Sequence, residues 1–310
     1  VFEWDENAPR DEDSANIWKS IGMPEDRIAY LPAEDNWWAA GPTGPCGPDT
    51  EIFYWMGEGK PPRGSNKGTD SKMWMEIWNN VFMQYNRVDA NTLVNLPAQC
   101  VDTGMGIERC TVTLNKMKSV YETDLFAPVL IKIREIVGEE NYNERWARII
   151  ADHLRAATHM ISDGVVPKNI DQGYILRRLI RRAIREAYKM GYESPITVII
   201  AQKYIEQFTT VYESVAKNSE KIQTELSREE EKFARTLKNG LREFEKEFNK
   251  FIMQVWASVN GVGMDPQKIW LSNEAIASST MGKILWFELF QTYGYPVEMT
   301  LEMVKDKIAG

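Results

Sequence analysis

Short apolar stretches separated by turn-forming residues occupy the first 125 or so residues of the chain. Three stretches have the composition of strands: Ile52–Trp55, Ile77–Trp78 and Val81–Tyr85. Clusters of glycine, proline, aspartate and asparagine bound them, at Gly41–Pro45, Pro61–Gly64 and Asp89–Asn91. Because no long helical pattern lies between these stretches, they predict an antiparallel sheet.

The period of the apolar positions becomes helical from about residue 126 onward. Three segments have amphipathic helical spacing: Trp146–Met160, Tyr174–Met190 and Ser214–Ile252. One apolar face runs along the longest of them, through Ile222, Leu226, Phe233, Leu237, Leu241, Phe244, Phe248 and Ile252, and Glu229, Glu230, Glu231 and Lys232 are predicted on its solvated side. We expect this helix to pack on its own domain, with a partner-binding coiled coil as the alternative. The pattern predicts an α+β protein, with a sheet domain over residues 1–122 and a helical domain over residues 123–310.

Composition narrows the class of protein. A hydrophobic fraction of 43% and a charged fraction of 26% exclude a disordered or collagen-like chain. No apolar run approaches the roughly 18 residues of a membrane span. Cys46, Cys100 and Cys110 form no Cys-x-x-Cys pair, and the spacing of His153 and His159 fits no zinc hydrolase, so we expect no zinc. The expected compartment is the reducing cytoplasm.

Charge is distributed unevenly along the chain. Residues 1–51 hold 12 acidic and three basic side chains, although the whole chain has a net charge of only -8. The predicted helix Tyr174–Met190 is strongly basic: on it Arg177, Arg181 and Arg185 form one column, and Arg178 and Arg182 form the next. Such a stripe is typical of contacts with a nucleic-acid backbone. The alternative is a solvated helix face that pairs with the acidic N-terminal region.

Two strand segments repeat the pattern Glu-Ile-aromatic, at Glu51 and at Glu76. Since side chains alternate between the faces of a strand, both carboxylates are able to lie on one face of neighbouring strands. They are hard oxygen ligands of the kind that Mg²⁺ with bound phosphates prefers. Ordinary solvated glutamates are the alternative interpretation.

The segment Asp102–Arg109 contains Gly104 and Gly106 and leads from a predicted strand into a predicted helix. Alternate glycines allow a backbone to approach a ligand closely, and the amides at a helix start favour phosphate. Arg109 would supply a permanent planar cation, and Asp102 a counter-charge for an ammonium group. A tight turn followed by a surface arginine is the alternative.

These segments occur in an order that resembles the alanyl-tRNA synthetase family, from the latter half of its class II catalytic domain onward. The similarity covers nearly the whole chain and is carried by eight segments: Asn36–Trp38, Thr43–Pro48, Glu76–Arg87, Val101–Arg109, Ala151–Arg155, Gly173–Arg182, Glu229–Leu237 and Tyr293–Pro296. The resemblance implies a partial class II antiparallel sheet followed by an all-α domain that recognises the tRNA acceptor stem. It also implies ATP-dependent activation of alanine and its transfer to tRNA.

The resemblance assigns roles to single residues of the sheet domain. Asp102 would hold the ammonium group of alanine, and Trp38, Asn79, Val81 and Gly104 would form the small pocket around it. Arg109 would bind the ATP phosphates as the arginine of the family's third motif, with Glu51 and Glu76 on the side of Mg²⁺ and ATP.

In the helical domain the resemblance implies that Asn169 reads a G:U pair of the acceptor stem, while Arg177, Arg178, Arg181 and Arg182 contact phosphates. An amide both donates and accepts hydrogen bonds, as reading a base edge requires. Gln291 stands where the family's second determinant is an aspartate; it still donates and accepts but carries no charge.

The chain departs from the family pattern in three places. The family's first two motifs lie upstream of the segments matched here, its editing domain lies downstream, and Asp49 replaces the second cysteine of a Gly-Pro-Cys-Gly-Pro-Cys motif. We therefore expect a truncated ligase chain or one subunit of a split enzyme, whose missing parts act in cis or in trans. The alternatives are a non-catalytic RNA-binding paralogue, which would need neither Asp102 nor Arg109, and a basic helix that contacts only protein.

Overall fold

The computed structural model describes residues 1–6, 8–259 and 303. The chain forms two compact units, Val1–Asp124 and a second unit that begins at Leu125. The boundary predicted between residues 122 and 123 lies two residues before this division. The predicted turn at Tyr293–Pro296 and the candidate residue Gln291 lie outside the described residues. No helix in the described part of the chain combines the length and the apolar character needed to cross a bilayer.

The first unit is built on a four-stranded antiparallel sheet in the order β1-β2-β3-β4. Its strands are β1 (Trp37–Ala39), β2 (Gly44–Trp55), β3 (Trp74–Asp89) and β4 (Thr92–Met105). Three helices belong to the same unit: α1 (Glu12–Ser20) and α2 (Ala33–Asn36) before the sheet, and α3 (Ile107–Leu114) after it. The predicted antiparallel sheet is confirmed.

Turn-forming residues explain the hairpin between β3 and β4 and the point where β2 begins. β3 and β4 are joined by a tight hairpin in which Asp89 pairs with Thr92, and the backbone N–H of Asn91 donates to Asp89 Oδ1 at 2.9 Å. The turn predicted at Gly41–Pro45 is wrong in its extent, because β2 already begins at Gly44. Gly44 has a φ of +118°, which favours glycine, and this residue lets the chain enter the strand at that point.

Up to Val259, the last residue of its continuous described part, the second unit consists mainly of helices, as its apolar period predicts. They are α4 (Ala127–Val137), α5 (Glu144–Ser162), α6 (Asp171–Lys189), α7 (Thr197–Phe208), α8 (Glu213–Lys217) and α9 (Ser219–Val259). α5 begins at a capping asparagine, since Asn143 Oδ1 accepts from the backbone N–H of Trp146 at 3.1 Å. Side chains of α5, α6, α7 and α9 fill the core with no exposed surface, among them Ile150, Leu154, Leu176, Ile180, Ile200, Phe233 and Leu226.

α9 packs on α5, α6 and α7 of its own unit, as expected, but two of its polar residues are placed differently from the prediction. Glu229 and Glu230, expected on the solvated side, are only 4% and 5% exposed. Glu230 accepts hydrogen bonds from the backbone N–H groups of Ile196 and Thr197 at 3.0 and 3.1 Å. It therefore satisfies the first turn of α7, which otherwise has no side-chain cap.

The predicted exposed column of arginines on α6 is wrong for two of its three members, Arg181 and Arg185, which are buried. Arg181 is 5% exposed and donates from Nε to Glu229 Oε1 at 2.6 Å, and Arg177 Nε lies 3.3 Å from the same oxygen. Arg185 is 1% exposed and pairs with the buried Glu186. A buried guanidinium needs a charged partner, and carboxylates of α9 and of α6 itself provide it here. Arg181 is thus a core residue, and the phosphate-binding role expected of it loses its basis.

We predict that Glu229→Ala destabilises the helical unit by about 3–5 kcal/mol, because it leaves the charge of Arg181 buried without its carboxylate. Glu231→Ala is the matched control. The side chain of Glu231 is on the same helix but exposed, so its loss should change stability by less than about 0.5 kcal/mol. Urea unfolding followed by far-ultraviolet circular dichroism measures both changes. Equal stability of the two variants would contradict a structural role for this pair.

Candidate active site and nucleic-acid interface

The register of β3 and β4 brings together four residues of the predicted alanine pocket. Val81 lies opposite Asp102, and Asn79 lies opposite Gly104. Residues that lie directly opposite in an antiparallel pair share a face, as do residues two apart along a strand. The four positions therefore form one continuous patch. Val81 is buried at its centre, while Asp102 is exposed and accepts a hydrogen bond from the backbone N–H of Thr103 at 2.8 Å.

Trp38, the remaining residue assigned to this pocket, lies apart from the patch. It is on β1, opposite Gly47 of β2, so that β2 and β3 lie between it and Asp102. Three strand spacings of about 4.8 Å put roughly 14 Å between the two backbones. The backbones of Trp38 and Asp102 are therefore separated by two strands, and the role of Trp38 in lining the pocket stays a prediction.

Carboxylates extend the patch onto β2. Asp49 lies opposite Val81, and Glu51 lies opposite Asn79. A register shift between Ile52 and Phe53 then places Glu76 opposite Phe53. The sheet thus collects three acidic side chains near one polar region.

Burial and mutual repulsion change the ionisation of these groups. Burial, together with the negative charges of Glu76 and Asp49, raises the pKa of Glu51 to about 7. Burial also raises the pKa of Asp49, against hydrogen bonds from Asn36 and Asn79 that lower it. Asn36 Nδ2 donates to Asp49 Oδ1 at 2.7 Å. The site therefore favours a bound cation or proton among its carboxylates.

Arg109 lies where β4 leads into α3. Its Nη1 donates to Glu76 Oε2 at 2.6 Å and to the backbone oxygen of Glu76 at 3.2 Å. Both side chains of this ion pair are partly exposed, and such a pair contributes less than about 1 kcal/mol. A phosphate group is a stronger, bidentate partner for a guanidinium, so it is able to displace Glu76. Gly106 leaves room for this arrangement, because a Cβ there would lie 3.2 Å from Arg109 Cδ.

The oxygen-rich face fits Mg²⁺ only if the ion brings further ligands. No group of three or more His, Cys, Asp or Glu side chains in the described part of the chain is arranged to hold a metal ion. Two amide oxygens, Asn36 Oδ1 and Asn79 Oδ1, are buried without a hydrogen-bond partner among the described residues. Hard oxygens of this kind suit Mg²⁺ that keeps its waters and binds together with substrate phosphates. Glu51 and Glu76 thus fit such an ion as partial ligands.

The loop before α6 presents Asn169 at the surface. Asn169 lies in an exposed bend, followed by Ile170, which is 66% exposed. The loop is pinned to the first turn of the helix, because Lys168 N donates to the backbone oxygen of Gly173 at 3.1 Å. A Cβ on Gly173 would lie 2.6 Å from the backbone oxygen of Val166, so only glycine permits this close packing.

Half-buried arginines remain on α6 beside this loop: Arg177, Arg178 and Arg182. Arg182 Nη1 lies 3.3 Å from His153 Nε2 of α5. Sequence reasoning missed this histidine, and it also missed Asn36 at the end of α2 and Asp49 on β2. Asp49 was visible as a departure from the family motif, whereas no periodic signal identified Asn36 or His153.

We predict that Glu51 titrates near pH 7 in the folded protein, which carbon NMR of its side-chain carboxyl measures directly. Glu76→Gln should lower this pKa, because it removes a nearby negative charge, while Glu58→Gln on an exposed loop should leave it unchanged. Because the native state binds this proton more tightly than the unfolded chain, the contribution of Glu51 to stability falls as pH rises from about 4.5 to about 7. A midpoint near that of a free glutamate would contradict the proximity of the three carboxylates.

Comparison with known proteins identifies the family. The class described as tRNA synthetases class II (A) matches residues 1–257. The alanine–tRNA ligase of Borrelia hermsii (strain HS1 / DAH) is 42% identical over 313 residues, which cover 99% of this chain and 49% of that protein. That of Treponema pallidum (strain Nichols) is 37% identical over 313 residues, covering 99% and 48%. That of Pseudoalteromonas translucida (strain TAC 125) is 37% identical over 301 residues, covering 96% and 32%.

The chain therefore spans about half the length of the spirochaete relatives and about a third of the Pseudoalteromonas protein. The match to the family extends from the sheet unit through most of the helical unit. On this evidence the chain belongs to the class II (A) family of tRNA synthetases.

Proposed function

We propose that the chain is the alanine-selecting and RNA-recognising part of an alanine–tRNA ligase, which activates alanine with ATP and transfers it to tRNA(Ala). The observation that carries the proposal is the register of β3 and β4, which sets Val81 beside Asp102 and Asn79 beside Gly104. Membership of the class II family and the names of the relatives support the same reaction. The cytoplasm is the compartment that suits it.

Asp102 supplies the counter-charge for the ammonium group of alanine, since binding a charged amine requires one. Val81 and Asn79 close the space beside it, which excludes large side chains. One methyl group is worth only about 1–3 kcal/mol in such a pocket, so rejection of glycine and serine requires editing elsewhere in the complete enzyme. Trp38 and Gly104 are further proposed parts of the pocket wall, and Trp38 would reach it from β1.

Arg109 is the phosphate ligand of the proposed site. A phosphate oxygen of ATP would compete with Glu76 for its guanidinium, and Glu51 and Glu76 would then be available as oxygen ligands for Mg²⁺. Bound Mg²⁺ would neutralise part of the phosphate charge. The carboxylates of Asp49, Glu51 and Glu76 repel one another. A cation bound among them would reduce this electrostatic repulsion.

The exposed edge strand of the sheet, β4, indicates that another part of the catalytic domain binds beside this site. β4 pairs with β3 on one side, and nearly all its residues are exposed in the described part of the chain, including Val101 at 63% and Met105 at 48%. A long exposed edge invites pairing with another strand. We propose that the rest of the catalytic domain, with the family's first two motifs, covers this edge in cis or in trans, and that an editing domain completes the enzyme.

RNA recognition in this proposal combines Asn169 with three arginines. The exposed amide of Asn169 reads the G:U pair of the acceptor stem from the shallow groove, where base edges are accessible. Arg177, Arg178 and Arg182 position the phosphates and carry no sequence information themselves. Gln291 remains part of the proposal as a second contact from outside the described residues.

We predict that the chain binds an acceptor-stem minihelix with a G:U pair more tightly than its G:C version, and that Asn169→Ala abolishes the preference. One specific base contact is worth about 1–3 kcal/mol, so the expected difference is about tenfold. Raising the salt concentration should weaken binding to both helices alike, because phosphate contacts do not depend on sequence. Fluorescence anisotropy at two salt concentrations measures both effects.

Asn239→Ala is the control for this experiment, since it removes an exposed amide from α9 instead. It should keep the preference for G:U. Equal binding of the unchanged protein to both minihelices would overturn the role of Asn169 and leave only electrostatic attraction.

A further inference from the structure

Three side chains form a hydrogen-bonded line between α5 and α6. His153 Nδ1 lies 3.1 Å from Asp152 Oδ2, and His153 Nε2 lies 3.3 Å from Arg182 Nη1. Arginine carries donors only, so this contact is a hydrogen bond only when Nε2 is the acceptor. In that tautomer the imidazole proton is on Nδ1, which donates it to Asp152.

Asp152 maintains this tautomer. The hydrogen bond from His153 lowers the pKa of the Asp152 carboxyl, so the group stays ionised and keeps accepting from Nδ1. His153 itself is 8% exposed, and its neighbours in the helix packing leave it little room to turn. The acceptor on Nε2 therefore points at α6 in one fixed direction.

Arg182 gains a defined orientation from this contact. A free arginine side chain loses about 2 kcal/mol of rotamer entropy when it is fixed, so an arginine oriented beforehand loses less on binding a phosphate. Arg182 lies four residues after Arg178, on the same side of α6 and beyond the loop that presents Asn169. If α6 contacts the acceptor stem as proposed, the orientation of Arg182 would affect how its guanidinium meets a phosphate.

We propose that His153 is a positioning residue for RNA binding, which holds the guanidinium of Arg182 through an uncharged Nε2 acceptor that Asp152 keeps in place. This inference rests on the proposed function, since it assumes that Arg182 contacts the acceptor stem. It adds a residue of α5 that touches no RNA itself. The alternative is a buried histidine that only stabilises the packing of α5 on α6.

Amide substitutions separate the two nitrogens of His153. In His153→Gln the amide oxygen reaches the position of Nε2 and keeps the acceptor for Arg182. In His153→Asn the shorter side chain reaches only the position of Nδ1 and keeps the contact with Asp152. His153→Leu keeps neither contact. His159→Leu is the matched control, because His159 is on the same helix but packs on Phe208 and Tyr212.

The measurement is the affinity of the full chain for the G:U minihelix over a range of salt concentrations. We expect His153→Asn and His153→Leu to weaken binding about tenfold, as one charge-assisted contact is worth, and to reduce the salt slope by about 1. His153→Gln should bind as the unchanged protein does, and so should His159→Leu. In an Arg182→Ala background the His153 substitutions should have no further effect on affinity or slope.

The outcomes distinguish this inference from the proposed function. If Arg182→Ala weakens binding but the His153 substitutions do not, or if their effects add to it, the positioning role is overturned. If Arg182→Ala leaves affinity and salt slope unchanged, the proposed phosphate contact of Arg182 fails, whereas a lost G:U preference in Asn169→Ala would still support recognition. Thermal unfolding of each variant identifies any that fails to fold. If His153→Leu does, the comparison of His153→Asn with His153→Gln decides the question, since only the second keeps the acceptor for Arg182.

Discussion

The antiparallel register between β3 and β4 is the constraint on which the candidate site depends. It pairs Val81 with Asp102 and Asn79 with Gly104, so residues more than twenty positions apart in sequence share one face. A slip of one residue would turn every side chain of a strand to the opposite face and separate the pocket from its counter-charge. The pairing starts at the hairpin Asp89–Thr92, which Asp89 stabilises through the N–H of Asn91. Two register shifts, between Arg87 and Asp89 and between Met83 and Tyr85, lie between this hairpin and Val81, so the register at the site depends on them as well.

Buried charge organises the helical unit in a comparable way. Glu229 neutralises Arg181, and Glu230 satisfies the first turn of α7, so α9 holds two other helices through carboxylates in the core. The helix that looks strongly basic in sequence therefore has part of its charge already compensated inside the protein. The arginines proposed to contact RNA are therefore a smaller, half-buried set. They lie beside the loop that packs closely on α6 because residue 173 is a glycine.

The sequence predicts the type of each main element, because apolar period and turn residues are local signals. It also predicts that Glu51 and Glu76 lie on neighbouring strands, although the shift in register between Ile52 and Phe53 cannot be deduced from alternation alone. Burial of Glu229 was beyond prediction for a different reason. A glutamate on the polar side of a helix becomes a core residue only when an arginine of another helix meets it, and helical period contains no information about that partner.

Trp38 shows the same limit for the candidate site. A motif assigns it to the pocket, but the strand order puts two strands between it and Asp102. His153 shows the converse, since its significance follows from two hydrogen bonds that only the packing of α5 on α6 creates. For both residues, the position in the fold, and not the residue type, determines which groups the side chain is able to contact.

The central claim is that Asp102 provides the charge that holds the amino group of alanine, and binding of a non-hydrolysable alanyl-adenylate analogue tests it most directly. Calorimetry should show binding by the unchanged chain and by Asp13→Asn, which alters an exposed carboxylate on α1. Asp102→Asn keeps the shape of the side chain but removes its charge, and it should weaken binding at least about tenfold, or about 1.4 kcal/mol. Equal affinity of the unchanged chain and Asp102→Asn, or no binding by any of the three proteins, would contradict the account.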